Sequence, residues 1–260
     1  MQKGEIYIIS TGAGPGYITP NAFAALEKAD LIAGYTKYLK DIASLIENKE
    51  TYSTGMTQEA ERCKYAVKQA LTGKKVALIS NGDVNVYGIA GLLLEIVEEN
   101  NLWDALDITI EPGITSILAA AAKTGAPVVS DFAVISLSTL LTPLDLIELR
   151  LKNALEADFV VGIYNPLSHT RNQPYLKFLE NLKKYRKETA PVVIAQNIGR
   201  ETEKIYIKTV KEMLEIGDNL DMVNMSTILI VGNSTTKTIN SGKKLVTQRG
   251  YQKNYDYKIS

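Results

Sequence analysis

A polar turn directly follows a short apolar run in the first half of the chain. Residues 76–79 are apolar and too few for a helix, and Asn81, Gly82 and Asp83 come next, ahead of apolar residues at helical spacing from Tyr87 onward. Open α/β sheets bind ligands just beyond the carboxyl ends of their strands, where this turn would lie. Asp83 could therefore offer its carboxylate to a small molecule, or it could only close an Asx turn.

A glycine-rich turn follows the first predicted strand, residues 5–10. Gly12, Gly14 and Gly16 surround Pro15. A dinucleotide-binding fingerprint needs its third glycine one place later, and proline removes an amide that a phosphate would use. The turn is therefore a weak indication of a Rossmann site.

His169 is the only histidine of the chain, and it lies in a loop after the predicted strand 159–164. An imidazole there could act as a general acid or base on a substrate beyond the strand end. A solvated loop histidine of no catalytic use is the simpler interpretation.

Composition argues against several classes of protein. The 260 residues include 29 basic and 29 acidic side chains, so no net charge favours nucleic acid, and the single cysteine is too few for an iron–sulfur or thiolate zinc site. No protein-bound metal is expected. No signal peptide and no apolar run of about 20 residues is present, which predicts a cytoplasmic protein without a membrane span.

Strands and helices alternate through both halves of the chain, which predicts two α/β lobes with a hinge around residues 112–125. The predicted strands are 5–10, 31–34, 76–79, 107–111, 132–136, 159–164, 191–195, 204–208 and 227–231. Thr19, Thr57 and Thr142 are predicted to cap helices, and Thr115 or Ser116 could cap the helix 117–124 or present its hydroxyl to a cleft.

Four motifs together resemble the tetrapyrrole methylase family: residues 12–16, residues 82–88, residues 112–116 and residues 164–166. Residues 131–138, 140–143, 232–234 and 249–251 resemble the branch of that family that methylates C17 and contracts the ring in cobalamin biosynthesis. The likeness spans nearly the whole chain. Val84 and Asn85 depart from it, because the family usually has proline and glycine there; Asn85 still tolerates the left-handed backbone that glycine allows.

The resemblance implies two α/β lobes (residues 1–115 and 116–245, with a tail at 246–260), an active site in the cleft between them, and a homodimer. It implies S-adenosylmethionine as methyl donor and a small tetrapyrrole as substrate, with no nucleic acid or membrane partner. The residues that it assigns to the donor are Asn81, Gly82, Asp83, Val86, Thr115, Ser116, Tyr164, Asn165, Gln196, Asn197, Ser226 and Thr227.

The implied reaction transfers a methyl group to an electron-rich macrocycle carbon and needs neither a metal nor a covalent nucleophile, but ring contraction needs a proton donor or acceptor. Besides His169, the polar candidates are Thr11, Asp131, Ser138 and Thr142. Arg171 and Arg200 follow strand ends and could bind substrate carboxylates, or they could be solvated. The alternatives are methylation of another precorrin carbon, a diphthine or RNA substrate, and a nucleotide-binding module without catalysis.

Overall fold

The computed structural model describes residues 3–259, and the chain forms two compact units that meet in sequence at Ser116 and Ile117. Both units alternate strands with helices, so the predicted α/β class is confirmed. None of the helices within residues 3–259 has the length and apolar character needed to span a membrane. The tail was predicted to begin at residue 246, but Lys244–Thr247 form a paired strand that continues past this position.

The first unit is built on a five-stranded parallel sheet. Its strands are β1 (Gly4–Ser10), β2 (Leu31–Tyr35), β3 (Glu50–Thr54), β4 (Lys75–Ser80) and β5 (Leu106–Glu111), in the order β3-β2-β4-β1-β5. Its helices are α1 (Pro20–Lys28), α2 (Thr36–Asp41), α3 (Glu59–Leu71) and α4 (Ala90–Glu99). Central strands β4 and β1 are therefore neighbours, and both end at the same edge.

Alternate side chains of β1 enter the two cores of this unit. Ile6 and Ile8 pack with residues of α3 and α4, whereas Ile9 packs with Leu26 of α1. Side chains on a strand alternate between the two faces, and a parallel sheet is covered on both. The backbone at the carboxyl edge of the sheet is thus held between two packed layers.

The second unit contains a mixed sheet and a small separate one. Its helices are α5 (Ser116–Thr124, whose first residue lies at the unit boundary), α6 (Leu144–Glu156), α7 (Gln173–Tyr185) and α8 (Val210–Ile216). Its strands are β6 (Gly125–Ala126), β7 (Phe132–Ser136), β8 (Val160–Tyr164), β9 (Pro191–Gln196), β10 (Lys204–Thr209), β11 (Thr227–Val231), β12 (Thr236–Ile239) and β13 (Lys244–Thr247). The orders are β10-β9-β11-β8-β7 and β12-β13-β6.

Local signals for helix starts had mixed outcomes. The Thr19 cap is confirmed, because its Oγ1 accepts a hydrogen bond from the Ala22 amide at 3.2 Å. The cap predicted at Thr57 is wrong: α3 begins two residues later, and Thr57 has a φ of 66°. The cap predicted at Thr142 is wrong as well, since Pro143 occupies the N-cap position of α6.

Candidate active site

Two glycine turns meet at the carboxyl edge of the first sheet. The Gly82 amide donates to the Gly12 carbonyl at 2.7 Å, and the Gly12 amide donates to the Gly82 carbonyl at 3.1 Å. Gly12 and Gly82 both have positive φ, 73° and 70° respectively. Residues with a Cβ rarely adopt this backbone, so glycine is needed at both positions of the crossing.

Asp83 fastens the turn after β4 to the end of β5. Its Oδ1 accepts from the Asn85 amide at 2.7 Å, and its Oδ2 accepts from the Gly113 amide at 3.0 Å. The Ser10 hydroxyl oxygen accepts from the Val84 amide at 3.0 Å and so ties the same turn to β1. The Asx-turn interpretation of Asp83 is confirmed, and both oxygens of its carboxylate hold backbone.

The departure from the family pattern at residues 84 and 85 leaves the turn intact. Val84 is buried and its amide donates to Ser10, a bond that a proline at this position would lack. Asn85 is not among the residues with positive φ, so the tolerance attributed to it is not used. Tyr87 instead adopts a φ of 53°, and α4 starts only at Ala90 rather than at the predicted Tyr87.

The other residues of the first unit that were predicted to bind the methyl donor lie around this turn. Asn81 and Val86 are half-buried, and a Cβ placed on Gly82 would lie 3.8 Å from Thr115, which is buried. Ser116 is the first residue of α5. Thr11, a catalytic candidate, is 3% exposed and its hydroxyl donates to the Ser80 carbonyl at 3.2 Å, so the structure gives it a packing role.

All six donor residues predicted in the second unit lie at one edge of its main sheet. β7 and β8 run parallel, whereas β11 is antiparallel to both β8 and β9. The carboxyl ends of β8 and β9 therefore share an edge with the amino end of β11, and Gln196 pairs with Thr227 there. The predicted residues at this edge are Tyr164, Asn165, Gln196, Asn197, Ser226 and Thr227.

Two asparagines turn the chain out of the sheet at this edge. Asn165 follows β8 with a φ of 50°, and Asn197 follows β9 with a φ of 48°. Asparagine visits left-handed backbone more readily than other residues with a Cβ. The Asn197 amide donates to the Ser226 carbonyl at 2.9 Å, which fixes the exit of β9 beside the start of β11.

Several side chains at this edge already have structural partners. The Tyr164 hydroxyl accepts from the Ile117 amide in the first turn of α5 at 3.2 Å. Gln196 Nε2 donates to the Asp221 carbonyl at 2.7 Å, and Thr227 Oγ1 accepts from the Asn224 amide at 3.0 Å. Gln196 and Thr227 are each 5% exposed, so they support the edge more than they present side chains to solvent.

A chain of polar contacts joins Arg171 to Asn165 at the same edge. An Arg171 guanidinium nitrogen lies 3.3 Å from the Ser138 hydroxyl, to which it donates. The Ser138 amide and the Asn165 side-chain amide both donate to the Ser136 hydroxyl oxygen, at 3.2 and 2.9 Å. The structure thus brings together a predicted substrate residue, a catalytic candidate and a predicted donor residue.

The loop after β9 carries Arg200 and is held by Glu203. The Glu203 carboxylate accepts from the Gly199 amide at 2.7 Å and from Lys123 Nζ at 2.8 Å. Burial of Glu203 opposes its ionisation, but the hydrogen bonds from Lys123 and from the Gly199 amide outweigh burial and hold the pKa of the carboxylate below its ordinary value. Arg200 is half-buried in this loop.

The remaining catalytic candidates are separated by position. Asp131 precedes β7 at the opposite end of that strand from Ser136, so it lies away from the edge with Ser138. Thr142 is half-buried beside the start of α6, and His169 is exposed in the turn between Ser168 and Arg171. Ser138 is the candidate whose side chain contacts a predicted substrate residue.

Sequence reasoning missed two serines that organise the site. Ser10 and Ser136 each end a strand; Ser10 accepts from the Val84 amide in the turn after β4, and Ser136 accepts from the Ser138 amide just after its own strand. A polar residue that closes an otherwise apolar run, as in residues 132–136, was the signal that could have found them. Over the described range 3–259, no group of three or more His, Cys, Asp and Glu side chains is arranged to hold a metal ion. The expected lack of a protein-bound metal stays a prediction.

Comparison with known proteins gives consistent matches. The family model of the tetrapyrrole (corrin/porphyrin) methylases matches residues 5–214. A probable cobalt-factor III C(17)-methyltransferase of Methanocaldococcus jannaschii is 43% identical over 96% of this chain and 99% of its own length. A cobalt-factor III methyltransferase of Priestia megaterium is 41% identical over 97% of this chain, which spans only 46% of that longer protein.

More distant matches agree in fold and in family. A precorrin-3B C(17)-methyltransferase of Sinorhizobium sp is 32% identical over 91% of each chain. The crystal structure of the methyltransferase CobJ superposes with a TM-score of 0.86 at 31% identity, covering 95% of this chain and 100% of that one. With a family model matching most of its length and such relatives aligned nearly end to end, this chain belongs to the tetrapyrrole methylase family.

Proposed function

We propose that this protein is an S-adenosylmethionine-dependent C17-methyltransferase that also contracts the ring of its substrate, a precorrin-3B or cobalt-precorrin-3 type tetrapyrrole of cobalamin biosynthesis. The single observation that carries this proposal is the 43% identity to the Methanocaldococcus jannaschii protein over 99% of that protein. The relatives at 43% and 41% identity are named for cobalt-factor III, and the one at 32% for precorrin-3B. This ordering favours a cobalt-containing substrate.

The carboxyl edge of the first unit fits a methyl donor that is held by backbone. Gly12, Gly82 and Gly113 meet there without side chains, and the half-buried Asn81 and Val86 lie beside them with one polar and one apolar side chain. When bound, S-adenosylmethionine supplies a methyl group that its sulfonium makes electrophilic. Donor contacts of the residues predicted in the second unit, a homodimer and a cytoplasmic location stay predictions.

The edge of the second unit offers groups suited to an acidic macrocycle. Arg171 is half-buried, and its guanidinium is already oriented by Ser138 and by the Met225 sulfur, 3.8 Å away. A planar guanidinium fork binds carboxylates bidentately, and an oriented one loses less side-chain entropy on binding. Arg171 is therefore assigned to a peripheral carboxylate of the substrate, and Arg200 to a second.

Ser138 is assigned the proton transfer of ring contraction. Its Oγ accepts from Arg171, which stabilises negative charge on that oxygen and leaves the hydroxyl proton free for the substrate. Ser138→Ala is expected to lower kcat about 100- to 10,000-fold, the usual range for loss of one positioned acid or base, with donor affinity unchanged within about twofold. Single-turnover kinetics and calorimetry with S-adenosylhomocysteine measure the two quantities. A variant with wild-type kcat would remove Ser138 from the mechanism.

The function is tested by incubating the purified chain with methyl-labelled donor and a panel of tetrapyrroles. The panel contains cobalt-factor III, cobalt-precorrin-3, precorrin-3B and precorrins that are methylated at other carbons. We expect label to enter only C17-unmethylated substrates, with mass and absorption spectra of a methylated, contracted ring. Methylation without contraction, or at another carbon, would reassign the reaction within the family. Donor binding without turnover on any substrate would favour a binding module.

A further inference from the structure

Ser136 lies within the motif 131–138, but neither that motif nor the family match assigns a role to this residue. It is the last residue of β7 and is half-buried, and it pairs with Tyr164 at the end of β8. Its hydroxyl oxygen accepts two hydrogen bonds, from the Asn165 side-chain amide at 2.9 Å and from the Ser138 amide at 3.2 Å. A hydroxyl oxygen has two lone pairs, so these donors use its full accepting capacity.

The two residues that donate these hydrogen bonds to Ser136 belong to different parts of the proposed site. Asn165 is predicted to contact the methyl donor, and it needs support because its backbone is left-handed at φ 50°. Ser138 lies on the substrate side and orients Arg171. One oxygen atom thus sets the distance between a donor-binding turn and a substrate-binding loop.

We propose that Ser136 is a positioning residue that holds the donor side and the macrocycle side of the site in mutual register. This inference rests on the proposed function. Methyl transfer is an in-line displacement, and its rate depends on a near-attack geometry that a misplacement of about 1 Å can slow about 100-fold. Ser136 touches neither reactant in this scheme, so its effect passes through Asn165 and Ser138.

The test compares Ser136→Ala with Ser136→Thr. Alanine removes the shared acceptor, whereas threonine keeps the hydroxyl and suits a strand position. We expect Ser136→Ala to lower kcat about 10- to 100-fold with KM for the tetrapyrrole changed less than about threefold, because Arg171 remains to bind it. S-adenosylhomocysteine should bind a few-fold more weakly to Ser136→Ala. Ser136→Thr should restore both quantities to within about threefold of wild type.

A serine at the other end of the same sheet serves as the matched control. Ser234 follows the carboxyl end of β11, at the edge opposite Ser136, and its Oγ donates to Asp158. Ser234→Ala should therefore leave kcat within about twofold of wild type. Equal impairment of Ser136→Ala and Ser136→Thr would overturn the proposal, as would a Ser136→Ala variant whose kcat and S-adenosylhomocysteine affinity match wild type. Wild-type protein that turns over no tetrapyrrole would refute the proposed function instead, and the S-adenosylhomocysteine affinities of the variants would still decide whether Ser136 supports Asn165.

Discussion

Replacing Asp83 by alanine is expected to weaken donor binding about 10- to 100-fold and to lower the free energy of unfolding by about 1–3 kcal/mol. The part-buried Gly113 amide loses its acceptor, and an unsatisfied buried donor costs about that much. The turn after β4 is then no longer fastened to β5, so residues 81–86 lose the geometry that would hold the donor. Each tenfold loss of affinity corresponds to about 1.4 kcal/mol.

Asp83→Asn separates the two roles of the carboxylate. The amide oxygen can replace only one of the two carboxylate oxygens, so either Asn85 or Gly113 keeps its partner and an intermediate loss is expected. Asp104→Ala removes an exposed carboxylate of the same unit and should leave both quantities unchanged. Calorimetry with S-adenosylhomocysteine and urea unfolding measure them. Wild-type donor affinity in Asp83→Ala would contradict the assignment of this turn to the donor.

Gly113→Ala is expected to lower the free energy of unfolding by about 3 kcal/mol, which corresponds to a fall of about 6–12 °C in Tm. An added Cβ would lie 2.5 Å from the Gly82 carbonyl oxygen and 2.5 Å from the Ser10 Cβ. Neither neighbour is the end of a flexible side chain. The backbone segments at the carboxyl ends of β1, β4 and β5 must therefore move apart to admit the added Cβ. Donor binding should fall together with stability because the same backbone is displaced.

Gly91→Ala supplies the control for the glycine change. Gly91 lies in α4, and a Cβ there would meet no atom within 4 Å. Alanine is favoured over glycine in a helix by about 0.5–1 kcal/mol, so this variant should be slightly more stable than wild type. Thermal unfolding followed by circular dichroism compares the two. An equal Tm for Gly113→Ala and Gly91→Ala would show that the close approach at Gly113 is relieved without cost.

Elements with strong local patterns were predictable. The strands Phe132–Ser136 and Thr227–Val231 have the bounds that the sequence predicted, because apolar or β-branched runs between turn residues indicate strands by themselves. The strand Glu50–Thr54 was missed. Four of its five residues are not buried, and it is a strand because the edge of β2 pairs with it.

The same division holds within the site. Gly82 and Asp83 stood out because glycine and aspartate are turn formers and follow a predicted strand, and the Asx turn that was one of the two interpretations of Asp83 formed. The sequence could not predict that the second carboxylate oxygen of Asp83 accepts from Gly113, which is 30 residues away. The sequence also could not favour Ser138 over the other catalytic candidates, because that proposal depends on a contact from Arg171, 33 residues away.

By itself, the sequence determined the family, the α/β class and which turns carry polar groups, because these depend on residue type and short-range spacing. Only the tertiary structure decided which of those groups meet. Strand order and the antiparallel entry of β11 bring Ser226 and Thr227 beside Gln196, and the ends of β7 and β8 bring Ser136 to Asn165. Contacts between residues distant in sequence are set by sheet pairing and packing, for which no local pattern exists.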